Sequence, residues 1–463
     1  MTHSKLPGML LTGCILFLLH ACSLLQADLP PEEAAGRKIF EDADSATAAV
    51  TGIYEGIAAT TNFFAGGGSA YGGIYGDELV YTGQQAALQE FGNSTLSSGN
   101  ALLETNFWNN SYYFIYRANA CIEGLAASET LPASLRGQLM GEAKFLRALL
   151  YFYLVHFFGE VPLITSTDAA TNERMGRSPV SAVKATITAD LKDAQDLLTP
   201  AYPTAERARI NKWSATALLA RHYLYEKEWA LAKQEATAVI NSGLYRLMPL
   251  DSVFLITSKE AILQLQPVNK RHHTMDGFMF IPLGNTRPSF ALTPSLINTF
   301  EPGDRRKTSW IDVKTVNGVR YYYPFKYKKR PDADTNFVLT EYTSLLRLAE
   351  LYLLRAECNI TLGALPAAIS DIDVVRARAG LPVIAHTHPD IEATKLMQVL
   401  QHERRTEYFA ELGHRWLDLK RTGMANLVME PLKQGWKSTG ELWPIPYAQI
   451  ALNPSLVQND GYY

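Results

Sequence analysis

The sequence predicts a mostly α-helical fold in which antiparallel helix pairs stack into an αα superhelix, with long loop-rich insertions and a short β-hairpin. Two observations favour this class. Apolar residues recur at the three- and four-residue spacing of amphipathic helices across about 104–243 and about 341–425. Glycine, asparagine and aromatic residues instead crowd about 60–99 and about 244–339, where no helical period is sustained. We expect the first two blocks to form a scaffold that carries the other two as insertions.

Composition places the chain among globular proteins without a nucleic-acid-binding footprint. Its 463 residues are 47% hydrophobic and 19% charged, which is enough apolar material for a large core. The net charge of −3 gives no basic surface for a phosphate backbone. The 23 tyrosines and 7 tryptophans stand out, because such rings stack on sugar faces and anchor interfaces, although most of them are expected to be core.

The first 21 residues have the layout of a bacterial lipoprotein signal peptide. Lys5 supplies a positive start, Met9–Leu19 is an apolar stretch too short to span a bilayer, and Leu19-His20-Ala21-Cys22 resembles a lipobox. We therefore expect lipidation at Cys22, an anchor linker over 22–43, and a single domain over 44–463. The alternative is a secretory signal peptide without a lipid.

The first insertion follows a predicted helix over 44–59. Its aromatic content argues against disorder, so we expect an ordered loop that presents rings and acidic groups. The Asp77-Glu78 pair either binds a cation or a sugar hydroxyl, or caps a short helix. The candidate ligand contacts in this loop are Tyr71, Tyr75, Asp77 and Tyr81.

The two scaffold blocks have clear helix boundaries. The predicted helices are 106–127, 135–158, 179–198, 212–225, 229–241, 343–361 and 365–379. Ser178 and Asn211 are placed as N-caps, with Pro179 at the first helical position. Alanines recur in the paired helices, which lets them approach closely, and pairs of this length are typical of degenerate tetratricopeptide-like units.

The second insertion contains short strands. Ile262–Leu265 is a strand candidate, and Asn317-Gly318 predicts a tight hairpin turn between Trp310–Val316 and Val319–Tyr323. Residues 293–300 are expected to form a short helix. Because strand side chains alternate between faces, at least one of the consecutive tyrosines 321–323 should be exposed. Trp310 and Tyr321 are therefore added to the candidate ligand contacts.

The segment from His402 to Gly423 mixes charges and aromatic rings unusually densely. Glu403 and Glu407 are four residues apart and share a helix face, and Gly413 suits a left-handed position after that helix. Paired carboxylates beside arginines suit acid–base chemistry, but they also suit a buried ion network that fixes how the last helices cross. We favour the network, because no nucleophile or metal-binding set accompanies the pair.

Several motifs spread over the chain carry a resemblance to a known family. They are Glu403-Arg404-Arg405-Thr406-Glu407, Glu411-Leu412-Gly413-His414-Arg415-Trp416-Leu417-Asp418-Leu419, the Gly141–Ala148 run, the Phe158–Pro162 exit and the proline-rich tail over 441–462. Together these motifs resemble the SusD/RagB family. Leu412 departs from the pattern, since many members place glycine directly after the glutamate.

The resemblance implies a surface-exposed lipoprotein of the outer membrane that caps a SusC-like TonB-dependent transporter. It implies non-catalytic capture of an oligosaccharide, held by aromatic stacking and a few hydrogen bonds, with no cofactor. The alternatives are a peptide ligand, as in RagB-like members, and an interaction scaffold without its own ligand. A surface hydrolase has no motif to support it. The family's ligand loops vary, so none of the six candidate contacts transfers from it.

Metal and disulfide chemistry have weak support. His272-His273 and His386-x-His388 with Asp390 lack the spacing of a zinc site, so no metal is expected. Cys121 and Cys358 lie in helical patterns beside small or apolar residues, which favours buried free thiols, although a disulfide between them is the alternative.

Overall fold

A computed structural model describes residues 38–268, 273–330 and 338–462. The predicted signal peptide, Cys22 and most of the linker lie outside these residues, as does His272. Of the described helices, none is both long and apolar enough to cross a lipid bilayer.

The first half of the chain folds into the predicted scaffold helices together with short elements that the sequence did not predict. They are α1 (Ala43–Ala59), α2 (Gly67–Tyr75), β1 (Leu79–Tyr81), α3 (Ala86–Asn93), a π-helical turn (Leu103–Asn109) leading into α4 (Asn110–Ala127), α5 (Ala133–Phe158), α6 (Ala169–Asn172), α7 (Val180–Leu197), α8 (Lys212–Tyr225) and α9 (Trp229–Ile240).

The second half begins with mixed elements and ends in helices. They are β2 (Ala261–Leu265), α10 (Met275–Phe280), β3 (Phe290–Leu292), α11 (Pro294–Thr299), α12 (Arg305–Ser309), β4 (Ile311–Val316), β5 (Val319–Pro324), β6 (Thr343–Arg347), α13 (Leu348–Thr361), α14 (Leu365–Ala379), α15 (Ile384–Thr387), α16 (Ala393–Tyr408), α17 (His414–Arg421), α18 (Ala425–Met429) and α19 (Tyr447–Leu452).

The helix pairs form one continuous stack, which confirms the predicted mostly helical, tetratricopeptide-like class. In order, α4, α5, α7, α8, α9, α13 and α14 each pack on the next. The contact between α9 and α13 joins the two scaffold blocks, although about a hundred residues separate them along the chain. Asn211 caps α8 as predicted: its Oδ1 accepts the backbone N–H of Ser214 at 3.0 Å within a capping box.

Two boundaries differ from the sequence prediction. Ser178 is not an N-cap: its backbone N–H bonds to the carbonyl of Val161 at 2.9 Å, and α7 begins at Val180 without a side-chain cap. Residues 343–347 form β6 rather than the first turn of α13, because they pair with β2 in an antiparallel ladder. The predicted hairpin is confirmed, with Asn317 and Gly318 both left-handed at φ 50° and 78°.

Part of the first insertion is a helix rather than the predicted ordered loop. Residues Gly67–Tyr75 form α2, every residue of which is buried. A Cβ on Gly68 would lie 2.4 Å from the carbonyl oxygen of Phe63 and 3.3 Å from backbone atoms of Leu412. Glycine therefore allows the backbone of this helix to pack directly against the backbone of the turn between α16 and α17.

Candidate functional site

The glutamates of α16 lie in a buried ion network, as favoured from the sequence. Glu403 and Glu407 both accept hydrogen bonds from Nη1 of Arg306, at 2.5 and 3.1 Å, and all three side chains are fully buried. Arg347 adds a bond of 2.5 Å to Glu407 and one of 2.9 Å to Glu411. Glu403, Glu407 and Glu411 are thus paired and shielded from solvent, which leaves no access for a substrate.

The electrostatics of this network favour fixed charges over proton transfer. Burial alone would raise the pKa of Glu407, but Arg378, Arg347 and Arg306 outweigh it and hold that pKa well below its usual range. Burial lowers the pKa of Lys326 to about 8, although Glu411 partly restores it. In the part of the chain that the structure describes, no group of His, Cys, Asp and Glu side chains has metal-binding geometry.

Asp77 and Glu78 connect the first insertion to the same region. Asp77 accepts hydrogen bonds from Arg415 at 2.7 and 3.0 Å and from Arg405 at 2.7 Å. Although burial opposes its charged form, these arginines hold the pKa of Asp77 below its usual value. Because Asp77 and Glu78 directly precede β1, this ion pair fixes where that strand begins.

Four of the six predicted ligand contacts are buried, and the structure contradicts their role at a ligand surface. Tyr71 packs on Phe91 and is 6% exposed, and Asp77 is 4% exposed. Tyr75 is 1% exposed and donates its hydroxyl to the carbonyl of Gly440 at 2.6 Å. Trp310 is fully buried, with its ring under the ammonium of Lys326 at 4.8 Å. The three rings and the Asp77 carboxylate are enclosed in the interior of the protein.

Tyr81 and Tyr321 remain half-buried at the protein surface. Tyr81 pairs with Phe290 in the β1–β3 ladder, and their ring centroids lie 5.6 Å apart. Tyr321 pairs with Lys314 in the hairpin, and its strand β5 lies beside β3. The ladder therefore joins the two insertions, which are about two hundred residues apart in sequence.

The segments that flank this ladder add polar side chains that the sequence analysis did not single out. Thr82 donates its backbone N–H to Ser289 at 2.9 Å and its hydroxyl to Pro288 at 2.7 Å, which holds the segments side by side. We call the resulting area the insertion surface; it comprises half-buried Tyr81 and Tyr321 and exposed Gln84, Gln85, Asn285 and Arg287. The amide side chains of this surface lie in loops, where no periodic pattern marks them in the sequence. Only the pairing of β1 with β3 brings the two loops together.

Two grooves lie elsewhere, on the helical scaffold. The tail groove, of about 1000 Å³, runs between α4 and α19, and its lining includes Trp108, Tyr112, Asn172, Gln449 and Asn453. A groove of about 1030 Å³ lies between α15 and α16, and its lining includes Glu301, Arg376, His388, Asp390 and His402. Neither groove contains a residue predicted from the sequence as a ligand contact.

The two cysteines predicted as buried free thiols are confirmed as such. Cys121 on α4 and Cys358 on α13 are both buried and unbonded. Burial raises the pKa of Cys121 to about 11 and that of Cys358 to about 12. Both thiols are therefore protonated and unreactive at neutral pH.

Comparison with known proteins agrees with this architecture. A family model described as the SusD family matches residues 298–462, and one described as "Starch-binding associating with outer membrane" matches residues 67–224. SusD-like protein P25 of Formosa agariphila is 24% identical over 76% of this chain and 78% of its own length. SusD-like protein P2 of the same organism is 24% identical over 97% of this chain and 98% of its own length.

Solved structures of SusD-like proteins are also similar to this chain. A laminarin-binding SusD-like protein is 25% identical, with a TM-score of 0.75 over 90% of this chain and 99% of its own. A SusD superfamily protein from Bacteroides vulgatus is 19% identical, with a TM-score of 0.79 over 91% of this chain and 99% of its own. Together with the motifs around Glu403–Leu419, these matches show that the chain belongs to the SusD/RagB family.

Proposed function

We propose that this protein captures an oligosaccharide at the cell surface, without transforming it, and passes it to a SusC-like TonB-dependent transporter. A lipid on Cys22 would hold it at the outer membrane. Family membership supports this proposal, since one matching family model is described as starch-binding and one structural relative is described as binding laminarin. The carboxylates of Glu403 and Glu407 are paired and inaccessible, so they do not supply acid–base chemistry to a substrate.

The observation that carries the proposal is the β1–β3 ladder, which assembles the insertion surface from both insertions. Tyrosine rings such as Tyr81 offer a flat apolar face on which a sugar ring stacks, while exposed amides donate and accept hydrogen bonds with its hydroxyls. Because stacking and a few hydrogen bonds would hold the ligand, affinity should be modest and release easy. The buried Asp77–Arg415 pair fixes the start of β1 and so positions Tyr81.

Calorimetric titration of the full-length protein with a panel of oligosaccharides and peptides tests this function. We expect heat with at least one glycan, and about tenfold weaker binding, or about 1.4 kcal/mol, in both Tyr81→Ala and Tyr321→Ala. Tyr116→Ala is the matched control, because Tyr116 is 52% exposed on α4, outside the insertion surface. Glycan binding that neither insertion-surface variant weakens would contradict the assignment of the surface.

Peptide capture is the second candidate, and the tail groove favours it. Its lining combines the rings of Trp108 and Tyr112, whose centroids lie 5.1 Å apart, with the polar side chains of Asn172, Gln449 and Asn453. Heat from peptides but not glycans, lost in Tyr112→Ala, would support this candidate. Recovery of a β-barrel transporter with the tagged protein, but no heat from any ligand, would instead indicate a scaffold.

A further inference from the structure

A small cavity on the scaffold is lined by cationic groups and lies apart from the insertion surface. It occupies about 170 Å³ where α5, α7, α8 and α17 meet. The described residues that line it are His156, Lys184, Tyr225, Leu417, Lys420 and Arg421. Three of them are lysine or arginine and none is acidic, so the lining offers hydrogen-bond donors suited to an anion.

The cations of the lining differ in how they are neutralised. Lys184 pairs with Glu226 at 2.6 Å, and Arg421 pairs with Asp418 at 2.7 Å and with Glu357 at 2.5 Å. Lys420 donates to the backbone carbonyl of His156, and no carboxylate among the described residues forms an ion pair with it. Its ammonium therefore has hydrogen-bonding capacity left over for a ligand.

Two further polar atoms of the lining have no partner in the described structure. Tyr225 is 7% exposed, and its buried hydroxyl makes no hydrogen bond. Nε2 of His156 is likewise buried and unpartnered, and the two rings lie 4.8 Å apart. Leaving such a group unsatisfied is unfavourable, so a hydrogen-bonding ligand in the cavity would be stabilised by both atoms.

We propose that this cavity binds a small oxyanion through the ammonium groups of Lys184 and Lys420 and the hydroxyl of Tyr225. Sulfate, phosphate and carboxylate all supply several acceptor oxygens around a compact negative charge. A neutral His156 completes the set by donating from Nε2. The cavity is too small to hold a sugar ring beside the oxyanion. The ligand is therefore either a free ion or an acidic substituent of a sugar whose ring lies outside the cavity.

The protonation of the basic groups in the lining predicts how sulfate binding depends on pH. Burial lowers the pKa of Lys420 to about 7, with Lys184 lowering it further and Glu441 opposing them. Burial, Lys420, Lys184 and His222 together lower the pKa of His156 well below its usual value, so it stays neutral. The other charged groups near the cavity are Arg421, which pairs with Asp418 and Glu357, and Glu226, which pairs with Lys184. Binding of sulfate, whose charge is constant in this range, should therefore weaken as the pH rises past about 7.

Calorimetry with sodium sulfate, against sodium chloride at equal ionic strength, tests the site in the full-length protein. We expect at least tenfold weaker sulfate binding in Lys420→Met and about threefold weaker binding in Tyr225→Phe. Lys192→Met is the matched control, because Lys192 is exposed on α7, the helix that also carries Lys184. Tyr225→Phe removes one hydroxyl from a well-packed ring, so it remains informative if Lys420→Met fails to fold.

Two further titrations distinguish the sources of the oxyanion. Tighter binding of glucose 6-sulfate or glucuronate than of inorganic sulfate assigns the site to a substituent of a sugar, whereas weaker binding assigns it to the free ion. Either result supports an oxyanion site. The proposal is overturned if sulfate binds no better than chloride, or if both Lys420→Met and Tyr225→Phe bind sulfate as tightly as Lys192→Met.

Discussion

Replacing Glu407 with glutamine is the sharpest perturbation of the buried ion network. Glu407 is fully buried on α16 and accepts hydrogen bonds from the guanidinium groups of Arg306, Arg347 and Arg378. Glutamine keeps the size of the side chain and one acceptor oxygen, but it removes the negative charge on which three cations converge. The substitution therefore tests charge compensation with little change in packing.

The expected loss of unfolding free energy is about 3–5 kcal/mol, the usual cost of removing one partner from a buried ion pair. Its pH dependence follows from the direction of the pKa shift. Because the arginines hold the folded-state pKa of Glu407 below its unfolded value of about 4.3, its stabilising effect is present at neutral pH and is lost as the pH falls. The difference between wild type and Glu407→Gln should therefore shrink in acid.

Urea denaturation followed by tryptophan fluorescence measures this difference, with buried Trp310 and Trp416 as reporters. Glu430→Gln is the control, because Glu430 is exposed and should change the unfolding free energy by less than about 0.5 kcal/mol. A loss below about 1 kcal/mol for Glu407→Gln at neutral pH, or a loss that does not shrink in acid, would refute this reasoning.

Three other predictions address single buried groups. Burial raises the pKa of Glu78 to about 7. As the pH rises from about 5 to about 8, the free energy of unfolding of the wild type should therefore fall relative to that of Glu78→Gln. Equal pH profiles for the two proteins would contradict this. Gly68→Ala should lower the free energy of unfolding by about 1–3 kcal/mol, because its Cβ would meet backbone atoms. Gly92→Ala has open space at its Cβ and should instead stabilise α3 by about 0.5–1 kcal/mol. Thermal melts of the two variants measure both changes. Cys121 and Cys358 should react with a thiol reagent only after denaturation, and rapid labelling of the folded protein would show that they are accessible.

The sequence predicted best the elements whose signals are local. The Asn211 cap and the Asn317-Gly318 turn depend on chemistry within a few residues, and both are confirmed. The spacing of Glu403 and Glu407 likewise placed them on one helix face, and the lack of a nucleophile or metal-binding set beside them favoured an ion network. Their partner Arg306 lies about a hundred residues away, and no local pattern identifies it.

The failures share one cause, which is contact between segments distant in sequence. Glycines in Gly67–Tyr75 predicted a loop because glycine is a poor helix former, but close packing against Leu412 selects glycine at a buried helix face. Trp310 and Tyr321 carry equally suitable rings, yet only the fold shows that the first is enclosed and the second is not. The insertion surface itself exists only through the β1–β3 ladder.

The central claim, capture without transformation, is tested most directly by equilibrium dialysis of the full-length protein against a mixed oligosaccharide pool, with mass spectrometry of the bound fraction. We predict that a subset of glycans is retained at unchanged chain length, and that Tyr81→Ala reduces the retained amount. Shortened products in the presence of the protein, or no retention of any glycan, would contradict the claim.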